Sequence, residues 1–256
     1  MPTPSLTLNI ARTTAVRVPL TYALGTSAAI VTSVPLLLLD LETREGVVGR
    51  CYIFCYTTSG AKAVAAHLVD AVERLRGSPI HPQTLADQMA RRFALIGVTG
   101  TVRMALSALD MALWDACACA EGKPVADLLG GTRRPIRAYD SRGLGLMDPA
   151  RLAAEAESMR ASGLPAMKLR LGHPTLAEDL AALHAVRGAI GDDVLLMVDY
   201  NQALLPTEAI LRGRAIEDQG VVWLEEPIRH DDYPGNARIA RELTIPIQIG
   251  ENFNGP

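Results

Sequence analysis

The chain has 256 residues, of which 49% are hydrophobic and 21% are charged, and its formal net charge is −3 at pH 7. This length and apolar content are sufficient for one large folded domain or two smaller ones. Charges of both signs are interspersed, so no basic surface indicates binding to nucleic acid or to an anionic membrane. The composition therefore predicts an ordinary globular protein without a nucleic-acid partner.

Local patterns argue against a membrane-spanning protein and against a secreted one. Apolar stretches such as Val34–Leu39 are too short to cross a bilayer, and the N-terminus lacks the pattern of a secretory signal. We therefore expect no membrane association and a cytoplasmic location.

The cysteines have no further Cys or His at zinc-site spacing, which predicts reduced, packed thiols. They are Cys51, Cys55, Cys117 and Cys119.

The first part of the chain changes from strand to helix periodicity. Apolar residues alternate in Ile10–Val18 and in Leu36–Leu41, as in antiparallel strands, and a third predicted strand carries Phe54 and Tyr56. From Ala61 to about Ala120, apolar residues recur three and four apart, as in helices. The sequence therefore predicts an N-terminal α+β domain.

The segment Thr21–Ser33, between the first two predicted strands, contains no charged residue. Its small and β-branched side chains and Gly25 predict a loop. Such a loop is either a mobile cover over something apolar or a plain surface connection, and the sequence leaves both interpretations open.

In the second part of the chain, strand and helix patterns alternate regularly. Repeated βα units with polar groups at strand ends are typical of a (β/α) barrel, in which the chemistry lies at the C-terminal ends of the strands. We therefore predict an α+β domain over residues 1–130 and a partial TIM-like (β/α) barrel over residues 131–256. The five strand candidates end near Asp140, Arg170, Asp199, Glu225 and Glu251.

A complete barrel has eight strands, so three βα units are missing from this prediction. Either the chain is a fragment of a longer protein, or the fold is an open doubly wound sheet of five strands. The fragment interpretation is favoured, because residues 250–256 end within a βα loop. A last strand at an open edge would also be exposed.

Three acidic residues follow three successive apolar runs at equal intervals. They are Asp199, Glu225 and Glu251, and each lies 26 residues after the one before. That interval fits one strand, one helix and their loops, which would place the carboxylates on neighbouring parallel strands at the same end of a sheet. Capping of the next helix would explain one such residue. Three convergent carboxylates predict a divalent-metal site, and hard oxygen ligands favour Mg²⁺.

Two basic residues lie on the strand that precedes these acidic ones. Lys168 and Arg170 are two residues apart, so both side chains lie on one face of the strand. Beside a metal, two cations would neutralise a bound carboxylate and the charge that develops when its α-proton is removed. The alternative interpretation is two solvated bases at a strand end.

Together these motifs resemble the mandelate racemase group of the enolase superfamily. The resemblance covers essentially the whole chain, because it extends through Asp110–Asp115 and Tyr139–Ser141 to the first strands. The motifs are, in order, Lys168-x-Arg170, Val198–Gln202, Trp223–Pro227 and Gly250–Asn252.

The resemblance implies an α+β capping domain over a modified barrel, with Asp199, Glu225 and Glu251 as magnesium ligands. It also implies a small-molecule carboxylate substrate, and it allows assembly into dimers or octamers. Sites of this superfamily pair a Lys or His base with Mg²⁺ on an enediolate.

The resemblance also implies roles for individual side chains around the substrate. Lys168 would lie beside the substrate carboxylate. Ser141 and Asn201 resemble positions that hydrogen-bond the carboxylate and hydroxyl region. Phe54 and Tyr56, with the loop between the first two strands, resemble the specificity lid.

Two departures from the family pattern concern the base. Arg170 occupies the position of a second lysine base, and a guanidinium is a poor proton acceptor at neutral pH. The family's other base is a His paired with an Asp on later strands, and the five histidines of this chain do not follow suitable strand ends. If Lys168 is the base, we expect Arg170 to lower its pKa by like-charge repulsion.

The sequence thus predicts a Mg²⁺-dependent enzyme that removes the proton α to a carboxylate and stabilises the resulting enediolate. Overall similarity favours a racemase acting on a 2-hydroxy acid. Arg170 favours a one-base reaction, as in an acid-sugar dehydratase. A truncated, non-catalytic metal-binding relic is the third possibility.

Overall fold

A computed structural model describes residues 5–27 and 30–253 of the chain, which form two compact units. The first unit runs to Pro19 and continues over Ser33–Pro135, and the second comprises Leu20–Thr32 and Ile136–Phe253. The predicted domain bounds, 1–130 and 131–256, stay a prediction.

The first unit combines a sheet with helices, as the change of periodicity predicts. Its three strands follow the order β1-β2-β3, and β2 and β3 pair antiparallel from Leu36 opposite Phe54 to Glu42 opposite Val48. The strands are β1 (Leu8–Gly25) and β2 (Ile30–Thr43), which extend into the second unit at residues 20–25 and 30–32, and β3 (Val48–Phe54); the helices are α1 (Thr58–Leu75), α2 (Pro82–Arg92), α3 (Gly100–Glu121) and α4 (Val125–Leu128).

Helix α3 packs so closely on β3 that one position of the strand must be glycine. A Cβ atom at Gly49 would lie 2.0 Å from the carbonyl oxygen of Ala112 and 2.8 Å from the backbone nitrogen of Ala116. Fully buried leucines fill the core of this unit around the contact, among them Leu41, Leu109 and Leu113.

The prediction of a loop over Thr21–Ser33 is wrong for most of its length. Strand β1 continues to Gly25 and β2 begins at Ile30, because β-branched residues such as Thr21, Val31 and Thr32 suit extended backbone. Residues 28 and 29 of the predicted loop lie outside the described residues. Tyr56 also lies beyond its predicted strand, with φ of 58°.

The second unit contains a four-stranded parallel sheet in the order β4-β5-β6-β7, with a helix after each of the first three strands. The predicted βα repeat is confirmed. A 3₁₀ turn at Glu217–Gln219 follows α7. The strands are β4 (Ala166–Arg170), β5 (Leu195–Asp199), β6 (Val221–Glu225) and β7 (Ile247–Gln248), and the helices are α5 (Pro149–Arg160), α6 (Leu176–Ile190), α7 (Pro206–Ile216) and α8 (Tyr233–Glu242).

Two predicted strand ends differ from the structure. Asp140 forms only an isolated parallel bridge with Met167, because the residues before it, including Ile136 with 83% exposure, have no strand partner. Glu251 lies in a turn three residues beyond the end of β7 rather than on the strand.

The end of the β1–β2 hairpin packs within the second unit through its backbone. The backbone N–H of Leu146 donates to the carbonyl of Gly25 over 3.0 Å. A Cβ at Gly145 would lie 2.5 Å from the Gly25 nitrogen, so two glycines permit this close approach. Ser27 Oγ donates to the backbone carbonyls of Tyr200 at 3.4 Å and Asn201 at 3.3 Å.

A buried ion pair fixes the loop that follows β4. Asp179 is fully buried and accepts hydrogen bonds from the backbone N–H groups of Gly172 and His173, each over 2.9 Å. Arg212, which is 5% exposed, donates to Asp179 over 2.6 Å and to the His173 carbonyl over 2.9 Å. This loop connects the Lys168–Arg170 strand to α6.

The four cysteines are free thiols. Burial, followed by the charge of Asp115, raises the pKa of Cys51 to about 11, so this thiol is unreactive at neutral pH. Cys119 is exposed, so the prediction of packed thiols is wrong for it. Across the described residues, the helices are too short or too polar to cross a membrane.

Replacing Arg212 by Met should destabilise the fold by about 3–5 kcal/mol, because Asp179 would remain buried without its cation. The control is Arg214→Met on the same helix, where the pair with Glu242 is exposed and removal should cost less than about 1 kcal/mol. Urea unfolding measures both free energies. Equal losses in the two variants would show that the buried pair has no special role.

Candidate active site

Three predicted site residues meet at the ends of three neighbouring strands. These residues are Lys168, Asp199 and Glu225. In the parallel register, Arg170 at the end of β4 lies opposite Asp199 of β5, which lies opposite Glu225 of β6. Lys168 lies two residues before Arg170, and its side chain reaches both acidic residues. Its Nζ lies 2.9 Å from Asp199 Oδ2 and 2.9 Å from Glu225 Oε1. The two carboxylates thus converge on a single cationic nitrogen.

The environment of Lys168 favours its charged form. The residue is 5% exposed, and burial by itself opposes the ammonium. The charges and hydrogen bonds of Asp199 and Glu225 outweigh burial, so the pKa of Lys168 lies above its ordinary value. The net direction is thus opposite to the lowering expected from Arg170, whose own contribution stays a prediction.

The remaining oxygens of the two carboxylates have uncharged donors. Asp199 Oδ1 accepts from the backbone N–H of Asn201 over 2.8 Å. Glu225 Oε2 accepts from the indole Nε1 of Trp223 over 3.1 Å. These bonds fix the orientation of both side chains and leave the oxygens facing Lys168 as the pair that shares a cation.

The backbone beside these carboxylates is strained. The φ angles of Asn201, Gln202 and Glu226 are 44°, 64° and 39°. Residues other than glycine rarely adopt this left-handed backbone region. Such strain is concentrated at binding and catalytic sites.

The side-chain Oδ1 of Asn201 is also buried without a hydrogen-bond donor in the described structure. An unpaired buried oxygen is suited to a cation or to a hydroxyl of a ligand.

The third predicted ligand, Glu251, belongs to a separate acidic group. The side-chain amide of Asn252 donates to Glu226 over 2.8 Å and lies 3.5 Å from Glu251 Oε1. Desolvation, followed by the charges of Glu226 and Asp199, raises the pKa of Glu251. A nearby cation would relieve this repulsion.

The chemistry of these residues fits a hard divalent cation, although their arrangement is not yet that of a metal site. Carboxylate oxygens are the ligands that Mg²⁺ prefers, and two of the predicted three already converge. Within the described ranges, no group of three or more His, Cys, Asp or Glu side chains is arranged to hold a metal ion. Lys168 lies where Asp199 and Glu225 converge, and the three-carboxylate set stays a prediction.

Arg170 is buried beside this group and holds the loop before α5. Its Nη1 donates to the carbonyls of Ser141 at 3.3 Å and Gly143 at 2.8 Å, and its Nη2 donates to Ser141 Oγ over 3.3 Å. Its Nε is buried without a partner in the described structure. Burial lowers the pKa of Arg170, against the charges of the neighbouring acidic residues. Arg170 and Ser141 therefore form a fixed unit.

The predicted lid aromatics contact each other in the first unit. The rings of Phe54 and Tyr56 stack with centroids 4.2 Å apart and an interplanar angle of 25°. Tyr56 is 66% exposed. The assignment of these two residues, and of Ser141 and Asn201, to substrate binding stays a prediction.

Sequence reasoning missed two residues of this region. Glu226 is 2% exposed and accepts hydrogen bonds from the side-chain amides of Gln202 and Asn252. These two bonds connect the segments that follow β5, β6 and β7. Its position next to Glu225 in the Trp223–Pro227 motif was the available signal. Trp223 also belongs to that motif, but its bond to Glu225 depends on side-chain orientation that the sequence does not show.

Two family descriptions match most of the chain. The N-terminal domain of the mandelate racemase / muconate lactonizing enzyme family matches residues 7–130. The family described as enolase C-terminal domain-like matches residues 151–256.

Curated relatives cover both units of the chain. L-talarate/galactarate dehydratase of Salmonella typhimurium is 33% identical over 222 residues, which are 86% of this chain and 56% of that protein. The 3,6-anhydro-alpha-L-galactonate cycloisomerase of Streptomyces coelicolor is 33% identical over 250 residues, which are 95% of this chain and 68% of that protein. The chain thus spans little more than half the length of the first relative.

A similar solved structure is that of an enolase from Bradyrhizobium complexed with magnesium and mandelic acid. It has a TM-score of 0.91 and 37% sequence identity, over 98% of this chain and 69% of that chain. The predicted resemblance and the α/β fold class are confirmed. The chain belongs to the mandelate racemase / muconate lactonizing enzyme group of the enolase superfamily.

Proposed function

We propose that this chain takes part in Mg²⁺-dependent removal of the proton α to the carboxylate of a 2-hydroxy acid. The convergence of Asp199 and Glu225 on the ammonium of Lys168 carries the proposal, because it gathers ligands and a candidate base at one end of the sheet. The Bradyrhizobium structure, with magnesium and mandelic acid, supports this choice of metal and substrate class.

In this proposal Asp199, Glu225 and Glu251 hold the metal through carboxylate oxygens. When bound, Mg²⁺ supplies positive charge that stabilises the anionic oxygens of the substrate. Desolvation raises the pKa of Glu251 most, and Mg²⁺ would reduce the smaller contribution from the charges of Glu226 and Asp199.

The two cations of β4 have different roles. Lys168 is the candidate base, since an ammonium can lose its proton to water and the neutral amine can then accept the α-proton. The C–H electron pair passes into the carboxylate and gives an enediolate. Arg170 keeps its proton and contributes positive charge to the enediolate oxygens.

In its ion pair with Asp199 and Glu225, Lys168 is an ammonium, whose nitrogen has no lone pair with which to accept a proton. It must leave at least one carboxylate and lose its proton before it can act. The proposed reaction therefore requires a rearrangement of the buried ion pair.

A second candidate function is dehydration of an acid sugar. Arg170, at the position of a second lysine base, favours a reaction in which one base removes the α-proton and a β-hydroxyl leaves as water after protonation. The resulting enol becomes a 2-oxo acid by tautomerisation. The dehydratase from Salmonella supports this alternative. Oligomeric assembly as a dimer or octamer stays a prediction.

We expect the chain to exchange the α-proton of mandelate or galactarate for deuterium in D₂O with Mg²⁺, as followed by ¹H NMR. Asp199→Asn should reduce the exchange rate at least about 100-fold, because one metal ligand loses its charge. The matched control is Asp193→Asn, which changes an exposed residue just before β5.

Exchange without Mg²⁺, or exchange that survives in Asp199→Asn, would contradict the proposed function. Binding of Mg²⁺ and mandelate without any exchange would contradict it in another way. That result would favour the non-catalytic relic.

With a single base, only the enantiomer of mandelate whose α-proton faces Lys168 should return deuterated, and it should return without inversion. The reason is that the same face of the enediolate loses and regains the proton, while Arg170 cannot deliver a proton on the other face at neutral pH. Chiral chromatography with mass spectrometry measures both quantities. Inversion as fast as exchange would show a second base and would support a racemase.

A further inference from the structure

We infer that Lys168 is the resident counter-cation of the predicted metal ligands and that Mg²⁺ binds by displacing its ammonium from Asp199 and Glu225. This inference rests on the proposed function, because it concerns the same site. It explains why the described residues show convergent carboxylates but no set arranged to hold a metal.

The positions of the donors restrict where a metal can bind. Asp199 Oδ1 and Glu225 Oε2 accept from the neutral N–H groups of Asn201 and Trp223. The other oxygen of each carboxylate lies 2.9 Å from Lys168 Nζ. If Asp199 and Glu225 hold Mg²⁺ through the oxygens that face Lys168, the ion would compete with the ammonium for the same place.

Electrostatics makes this a competition between cations. Mg²⁺ binds oxygen at about 2.0–2.1 Å, so a metal on these oxygens would lie well within 5 Å of an ammonium that kept its contacts. Repulsion between a divalent ion and a monovalent ion at that distance is large where water is scarce, and Lys168, Asp199 and Glu225 are all buried residues.

Displacing Lys168 would break fewer of the contacts seen here than displacing Arg170. A lysine ammonium ends a flexible four-carbon chain, and within the described part of the chain that of Lys168 contacts the two carboxylates. Arg170 is fixed by three hydrogen bonds to the loop at Ser141 and Gly143. Displacement by the metal would release Lys168 from the protein carboxylates and make it available to the substrate.

The experiment is isothermal titration calorimetry of Mg²⁺ into the wild-type chain, Lys168→Met and the matched control Arg170→Met. Removing the competing ammonium should tighten Mg²⁺ binding by about tenfold or more. Arg170→Met removes an equally buried cation that interacts with Asp199 and Glu225 through charge but makes its hydrogen bonds to Ser141 and Gly143, so it should tighten Mg²⁺ binding less, by about threefold at most. Lys168→Arg, which keeps the charge, should bind no more tightly than the wild type.

Lys168→Gln guards against misfolding of the Met variant, because its amide can still donate to one carboxylate. Thermal melting with and without Mg²⁺ gives a second measurement. Without the ammonium, the two buried carboxylates repel each other, so melting should occur at a lower temperature without metal. The gain on adding Mg²⁺ should then exceed that of the wild type in both neutral variants.

Weaker Mg²⁺ binding in Lys168→Met and Lys168→Gln would overturn the inference and would make Lys168 an organiser of the ligands. Equal tightening in Arg170→Met would overturn it as well, since the effect would then be one of general charge. Mg²⁺ binding that follows the expected order, without proton exchange by the wild type, would support the displacement and contradict only the proposed catalytic function.

Discussion

The buried ammonium of Lys168 between Asp199 and Glu225 is the interaction on which the site depends. Without a cation, two carboxylates at the ends of adjacent strands would repel each other in a region from which water is largely excluded. The parallel register of β4, β5 and β6 brings the three residues together, and the bonds from Asn201 and Trp223 orient the carboxylates. Lys168 supplies that cation from the protein itself.

The same interaction connects stability to function. The contacts that raise the pKa of Lys168 keep it from accepting a proton, so a catalytic role requires that the ion pair be broken. Around this pair, other groups are firmly held. Asp179 and Arg212 fix the loop after β4, and Arg170 holds the loop at Ser141. A change of partner by Lys168, as we propose, would leave the contacts of Arg170, Asp179 and Arg212 in place.

Much of this site is predictable from the sequence, because strand ends and a 26-residue interval depend on chain geometry. The apolar runs before Asp199 and Glu225 place both residues at the ends of paired strands, as predicted. Glu251 differs, because β7 ends at Gln248 and a turn intervenes. The bridge at Asp140 and the strand segments at residues 21–25 and 30–33 depend on pairing with residues outside each segment, which local patterns do not show. The raised pKa of Lys168 also requires tertiary contacts, since the sequence shows only its neighbour Arg170.

The most direct test of this account is a crystal structure of the chain with Mn²⁺ in place of Mg²⁺, located by its anomalous scattering. The account predicts a single strong peak within coordination distance of Asp199, Glu225 and Glu251, with the Lys168 ammonium moved away from at least one of the two carboxylates that it contacts here. A peak elsewhere, or Mn²⁺ bound while Lys168 keeps both of its contacts, would contradict it.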